Sequence, residues 1–190
     1  MIRKTVLALS LLVIALGTVA VSSSVAGASV HGTVTFTGSI SCKVATSSEV
    51  TSRPGLETTT PRKVKFTVSA TLVGCKGKTS KGGAKIVSGA LTGKATGSYD
   101  CEDLLSPPPL KGKIVWTTIG KAAAGTAITF SSGALSFPNL TYTSTQTGSF
   151  AGTGSVSLTI KGSEDALLAV CGTKKGLTKI KLSSGQVSLG

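Results

Sequence analysis

The stretch KVKFTVSATLVG, Lys63 to Gly74, decides the fold. Val64, Phe66, Val68, Ala70 and Leu72 occupy one phase, and Lys63, Lys65, Thr67, Ser69 and Thr71 the other. Successive side chains of an extended chain point to opposite faces. A period of two with one apolar phase therefore predicts a strand that buries one face and wets the other.

The same period recurs on both sides of this stretch. In HGTVTFTGSISCKV, residues 31–44, Val34, Phe36, Ile40, Cys42 and Val44 share a phase against threonines, serines and Lys43. SFAGTGSVSLTIK, residues 149–161, repeats it through Phe150, Val156, Leu158 and Ile160. Weaker strands are predicted in AKIVSGALTGKATGSY (84–99), KIVWTTI (113–119), GTAITFS (125–131), ALSFPNLTYTS (134–144) and LTKIKLSSGQVSL (177–189), which brings the total to eight. Pro138 lacks the N–H of a ladder residue, so its strand is expected at an edge or a bulge. Gly89, Gly93, Gly97, Gly152 and Gly154 fall inside strands, where each weakens the element. No long segment has helical period. The expected fold is all-β: a single-domain antiparallel barrel or sandwich of about eight strands with one or two short helical turns.

Those turns carry most of the acidic residues. Ser163 is placed to cap EDALLAV, with Glu164 and Asp165 in its first turn and Gly172 after its last residue. Asp100 is placed likewise before CEDLL, and SPPP then fixes a stiff exit towards Trp116. A helix start favours negative charge and a side-chain acceptor, so these acids read as caps.

The first 28 residues have the order of a secretory leader: Arg3 and Lys4, an apolar run from Thr5 to Val21, then small residues ending Ala26-Gly27-Ala28. That order predicts cleavage after Ala28. The secreted domain is then 29–190, which is 190 − 28 = 162 residues, and loss of Arg3 and Lys4 takes the net charge from +13 to +11. An even count of cysteines in an exported chain predicts two disulfides among Cys42, Cys75, Cys101 and Cys171. Four cysteines allow three pairings; Cys42–Cys75 with Cys101–Cys171 is preferred, joining two strands and two capped turns.

The chemistry that the residues offer is limited. Spacings of 33, 26 and 70 between cysteines contain no C-x-x-C pair, and His31 is the only histidine, so neither a metal site nor a His-based nucleophile is expected. GCKGKTSKGG, residues 74–83, resembles a phosphate loop, but Leu72 stands where the fingerprint needs glycine. It is expected to be a basic hairpin loop, and no cofactor is expected. Lysine concentrates at Lys76, Lys78, Lys81 and Lys85, at Lys63 and Lys65 beside Arg62, and at Lys174 and Lys175. Such a surface attracts anionic polymers by counterion release. Outside a cell these are wall or membrane polymers. Nucleic acid is not expected, since lysine outnumbers arginine 16 to 2 after residue 28 and stacking aromatics are scarce.

GSISCKV, TTTPRKVKFTVSATLVGCKG, CEDLL, GKIVW, GSFAG and CGTKKGLTKIKLSSGQVSLG, behind a signal peptide, resemble a group of small exported actinobacterial proteins. The group's Pro-Pro turn after the first strand is missing here. The resemblance implies export and disulfides; the group has no established activity, so no catalytic residue is carried across. The expectation is a secreted, non-catalytic binding or structural protein of the cell envelope or extracellular space. Two alternatives stand beside it. One is a carbohydrate-active hydrolase that sets Glu102 or Asp103 against Glu164 or Asp165; the other is a barrel holding a small apolar ligand.

Overall fold

A computed structural model of the protein describes residues 33–57, 60–77, 84–104, 106–131 and 133–190. Residues 1–32, which include the expected leader, Ser29 and His31, and Lys78 and Lys81 lie outside the described residues. Ten strands follow one another: β1 Ile40–Val44, β2 Glu49–Leu56, β3 Arg62–Gly77, β4 Lys85–Tyr99, β5 Leu110–Ile119, β6 Thr126–Phe130, β7 Ala134–Ser136, β8 Asn139–Gly148, β9 Gly152–Ile160 and β10 Leu177–Leu189. A 3₁₀ turn, Glu102–Leu104, separates β4 from β5, and the helix α1, Glu164–Cys171, separates β9 from β10.

The strand pairings run β2–β3–β4–β5–β6–β8–β9–β10 and return to β2, all antiparallel. This circuit of eight positions makes the architecture a barrel, with no open edge along the ring. β1 and β2 share one position. β1 pairs with the last residues of β10 and β3, and β2 with their earlier parts. Buried Ser48 fills the gap between the two: its hydroxyl accepts from Thr71 N at 3.2 Å and its carbonyl from Leu182 N at 3.0 Å. β7 lies outside the ring and pairs only with β8.

Inside the ring the alternation does what the sequence requires of it. Val64, Phe66, Val68, Ala70 and Leu72 are buried, while Lys63, Lys65, Ser69 and Thr71 are exposed and Thr67 is half-buried. β2, Glu49–Leu56, was not among the eight expected strands, and two of those eight need correction. The run 31–44 is not one strand: Gly38 takes a φ of 88°, the ladder starts at Ile40, and the preceding residues cross one mouth of the barrel. There Val34 bridges to Ala123, and Phe36 stacks on Phe150 at 5.8 Å. Trp116 meets Phe150 edge-on at 5.5 Å and donates from Nε1 to Thr126 Oγ1 at 2.9 Å. The second correction is ALSFPNLTYTS, which is a hairpin and not a single strand. β7 turns into β8 at Phe137 and Pro138, where proline's missing donor is no loss.

Candidate functional site

The opposite mouth is covered by the acidic segment. Asp100 Oδ1 accepts from Glu102 N at 2.9 Å and Asp103 N at 3.3 Å, and Asp103 Oδ2 accepts from Asp100 N at 2.9 Å. Two carboxylates thus cap the turn reciprocally, satisfying donors that the first residues of a turn leave free. Cys101 N donates to Glu57 O at 3.2 Å and Gly133 N to Pro107 O at 2.9 Å, so the lid is anchored beyond β2 and before β7. α1 is the second lid piece. Ser163 Oγ accepts from Ala166 N at 3.3 Å, and Gly172 caps the other end in ordinary right-handed geometry. The Cys101–Cys171 disulfide joins the two pieces; Cys42–Cys75 ties β1 to β3 near the other mouth. Both preferred pairings are present, although Cys42 and Cys75 lie on strands adjacent in the sheet and not in the chain.

Under the lid lies a cavity of about 60 Å³ with an almost wholly apolar lining. Its walls are inward residues of the ring such as Val68, Leu91, Leu110, Val156 and Leu182, and its roof includes Leu104, Pro107 and Leu167. Asp103 is the one charged residue on the lining among the described residues. Tyr142 also lines it, with its ring packed edge-on against Phe130. Burial without a compensating charge pushes this phenol well above its ordinary pKa. No buried side-chain nitrogen or oxygen among the described residues lacks a hydrogen-bond partner. Glu102, Glu164 and Asp165 do not line this space.

The lysine groups read from the sequence lie at different places on the barrel. Lys76 ends β3 and Lys85 opens β4 at the mouth crossed by the N-terminal segment, whereas Lys174 and Lys175 precede β10 at the lid end. β3 alone spans 16 residues, roughly 50 Å of extended chain, between these mouths. A different cluster forms on the barrel wall. Lys94 on β4 stands directly opposite Lys111 on β5, and Lys113 is opposite Thr92. Lys65 on β3 is opposite Thr96, and Lys63 opposite Ser98. All five lysines are exposed. The two ion pairs among the described residues, Arg62–Glu57 and Lys179–Glu49, both at 2.9 Å, lie outside this stripe. Sequence reasoning missed Lys94, Lys111 and Lys113. The visible signal was the repeat of K-x-K, at 63–65 and 111–113, on the outward phase of strands separated by one partner.

Compared with protein families, curated proteins and solved structures, the chain matches none.

Proposed function

We propose that this is an exported, non-catalytic binding protein that attaches to anionic polymers of the cell envelope through the stripe Lys63, Lys65, Lys94, Lys111 and Lys113. The observation that carries the reading is the Lys94–Lys111 pair. Like charges placed directly opposite across a ladder destabilise it, and no carboxylate of the stripe offsets them. A polyanion laid along β3–β5 would relieve that repulsion and release its counterions. The hydroxyls of Thr67, Thr92 and Thr96 sit between the lysines and can donate to the same anionic oxygens. Export is supported by two disulfides, which persist in oxidising compartments, and by the order of charge, apolar run and small residues in the first 28 positions. The non-catalytic reading is supported by the commitment of Asp100 and Asp103 to backbone donors.

The test is binding to a phosphate-bearing wall polymer over a range of salt. The wild-type slope of log affinity against log salt should be steep. In a Lys94→Gln, Lys111→Gln, Lys113→Gln variant it should fall by about 3, near one unit per lysine. A triple change of Lys76, Lys78 and Lys81 serves as the comparison and should matter less. Salt-insensitive attachment, or equal loss from both triples, would defeat the assignment to the stripe.

A further inference from the structure

The outward face of β3–β5 carries more than lysine. We propose that it rests on an anionic lipid bilayer, its apolar end entering the interface and its lysines lying over the headgroup phosphates. The inference rests on the reading of the stripe given above and narrows its partner, because a soluble polyanion would engage the lysines alone. Apolar side chains scattered singly are ordinary on a protein surface, whereas a group of them marks a contact. Six large apolar side chains are exposed among the described residues, and four of them, Val73, Val87, Val115 and Ile119, belong to β3, β4 and β5. The other two, Leu168 and Val170, are on α1.

The ladder brings the four together beside the stripe. Val115 continues the outward phase of Lys111 and Lys113 along β5. Lys113 is opposite Thr92, and in the next outward row Val115 is opposite exposed Ala90, with Thr71 on its other side. Val73 follows Thr71 in the same phase of β3. Val87 is the extra residue where the β4–β5 register shifts, between Ile86 opposite Thr118 and Ser88 opposite Thr117. A bulge of this kind re-aims a side chain. Ile119, at 65% the most exposed of the four, stands opposite Lys85, and exposed Lys121 follows it. Lysine therefore flanks the apolar rows on both sides. Successive outward residues are about 7 Å apart along a strand. An interfacial element buries its apolar side chains about 5–10 Å into the headgroup boundary. A barrel tilted with Ile119 lowest would thus hold Lys113 at the level of the phosphates.

Charge selects the occupant. The chain's seven acidic residues all lie on or next to β2, in the turn 100–103 or in the first turn of α1, so none stands on β3, β4 or β5. A second copy of the chain would add its own lysines to the contact with no acid on either face to pair them. An uncharged apolar partner would leave the lysines unanswered. A surface that is apolar just beneath a layer of negative charge answers both halves of the face, and an anionic bilayer is such a surface. Lysine suits the boundary, since its stem lies along apolar groups while its ammonium stays in water. No helix among the described residues is long and apolar enough to cross a membrane, and this contact needs none.

The experiment sediments the purified protein, both disulfides formed, with vesicles of phosphatidylcholine alone or mixed with phosphatidylglycerol, and uses polyphosphate as the lipid-free polyanion. Wild type should bind the mixed vesicles and polyphosphate, and bind phosphatidylcholine alone far more weakly. Val73→Thr, Val87→Thr, Val115→Thr and Ile119→Thr together keep every β-branch and remove the apolar patch. In that variant vesicle binding should fall by about tenfold or more, with polyphosphate binding unchanged. Lys94→Gln, Lys111→Gln and Lys113→Gln together should weaken both, on vesicles by about a hundredfold, near fivefold for each lysine. In Ile119→Trp, bromine-labelled lipid should quench the added indole, whereas wild type, whose Trp116 is buried, should be quenched little. Should the four-site variant fail to fold, Val115→Thr with Ile119→Thr and the indole measurement decide. Vesicle binding unchanged by loss of the patch, or no quenching in Ile119→Trp, would overturn this inference and leave the stripe reading standing. Wild type that fails to bind polyphosphate would overturn the stripe reading, and this inference with it.

Discussion

Replacing Cys101 and Cys171 together by serine separates what the staple does for the whole barrel from what it does for the lid. The bond closes a loop of 70 residues. In the chain-entropy account such a loop removes unfolded-state freedom worth about 4.4 kcal/mol, against about 3.7 kcal/mol for the loop of 33 closed by Cys42–Cys75. On that account either double variant loses a similar amount of global stability in urea. Their local effects should differ. α1 has eight residues, and isolated helices shorter than about 12 are marginal in water. With Leu167 as its only partly buried side chain besides the cysteine, little remains to hold it once the bond is gone. Amide exchange read residue by residue should show Leu167 N and Gly172 N, which donate to Ser163 O and Leu168 O, losing protection by orders of magnitude in the Cys101/Cys171 variant. The β3–β4 ladder should fall only with global stability. In the Cys42/Cys75 variant, α1 should stay as in wild type. Slow exchange of α1 after loss of its own staple would refute the reasoning, because packing would then be holding the lid.

Asp100→Ala should cost about 0.5–2 kcal/mol in chemical denaturation, as lost caps do, whereas Glu102→Gln, which removes no cap acceptor, should be nearly neutral. Gly89→Ala should destabilise by about 1–3 kcal/mol, since its new methyl would come within 2.9 Å of the Trp116 ring and 3.1 Å of Ile114 Cγ2; a fluorescence-detected melt reports both the stability and the displaced indole. Non-reducing mass analysis of the exported protein should give a chain that starts near Ser29 and lacks four hydrogens; two free thiols or a retained leader would contradict export through an oxidising compartment.

The barrel was legible because its inward phase is kept strictly in β3, which pairs with β1, β2 and β4. The sequence was less clear where one phase serves two structures. Val34 and Phe36 continue the alternation of β1 although the chain has turned at Gly38, since a segment laid across a mouth buries alternate side chains as a strand does. The strand glycines misled in a more specific way. Gly89 and Gly97 look like weak points, yet the rings of Trp116 and Tyr99 lie over them, and a β-carbon at either position would collide. The role of Gly89 depends on cross-strand register, which no single strand encodes, whereas Gly97 makes room for Tyr99 two residues on in the same strand. Register also hid the stripe: Lys94 and Lys111 are 17 residues apart in sequence and acquire their meaning only when β4 and β5 align. The capped turns, by contrast, were local motifs, and Ser163 and Asp100 could be placed from a few residues each. That these turns roof an apolar space was not legible, because Leu104 and Leu167 come from turns about 60 residues apart, brought together by the fold.

β10 is the keystone of the ring. It pairs with β1 and β2 at one flank and with β9 at the other. Until it is in place, all three of those strands present unpaired backbone to solvent and to one another's copies. A chain halted before Leu177 would therefore be a sticky open sheet, not a smaller barrel. Because β10 follows every other strand of the ring in chain order, a ribosome that releases this chain from its N-terminus leaves the ring unlocked until β10 has emerged. That order makes a truncation inside β10 more damaging than its length suggests.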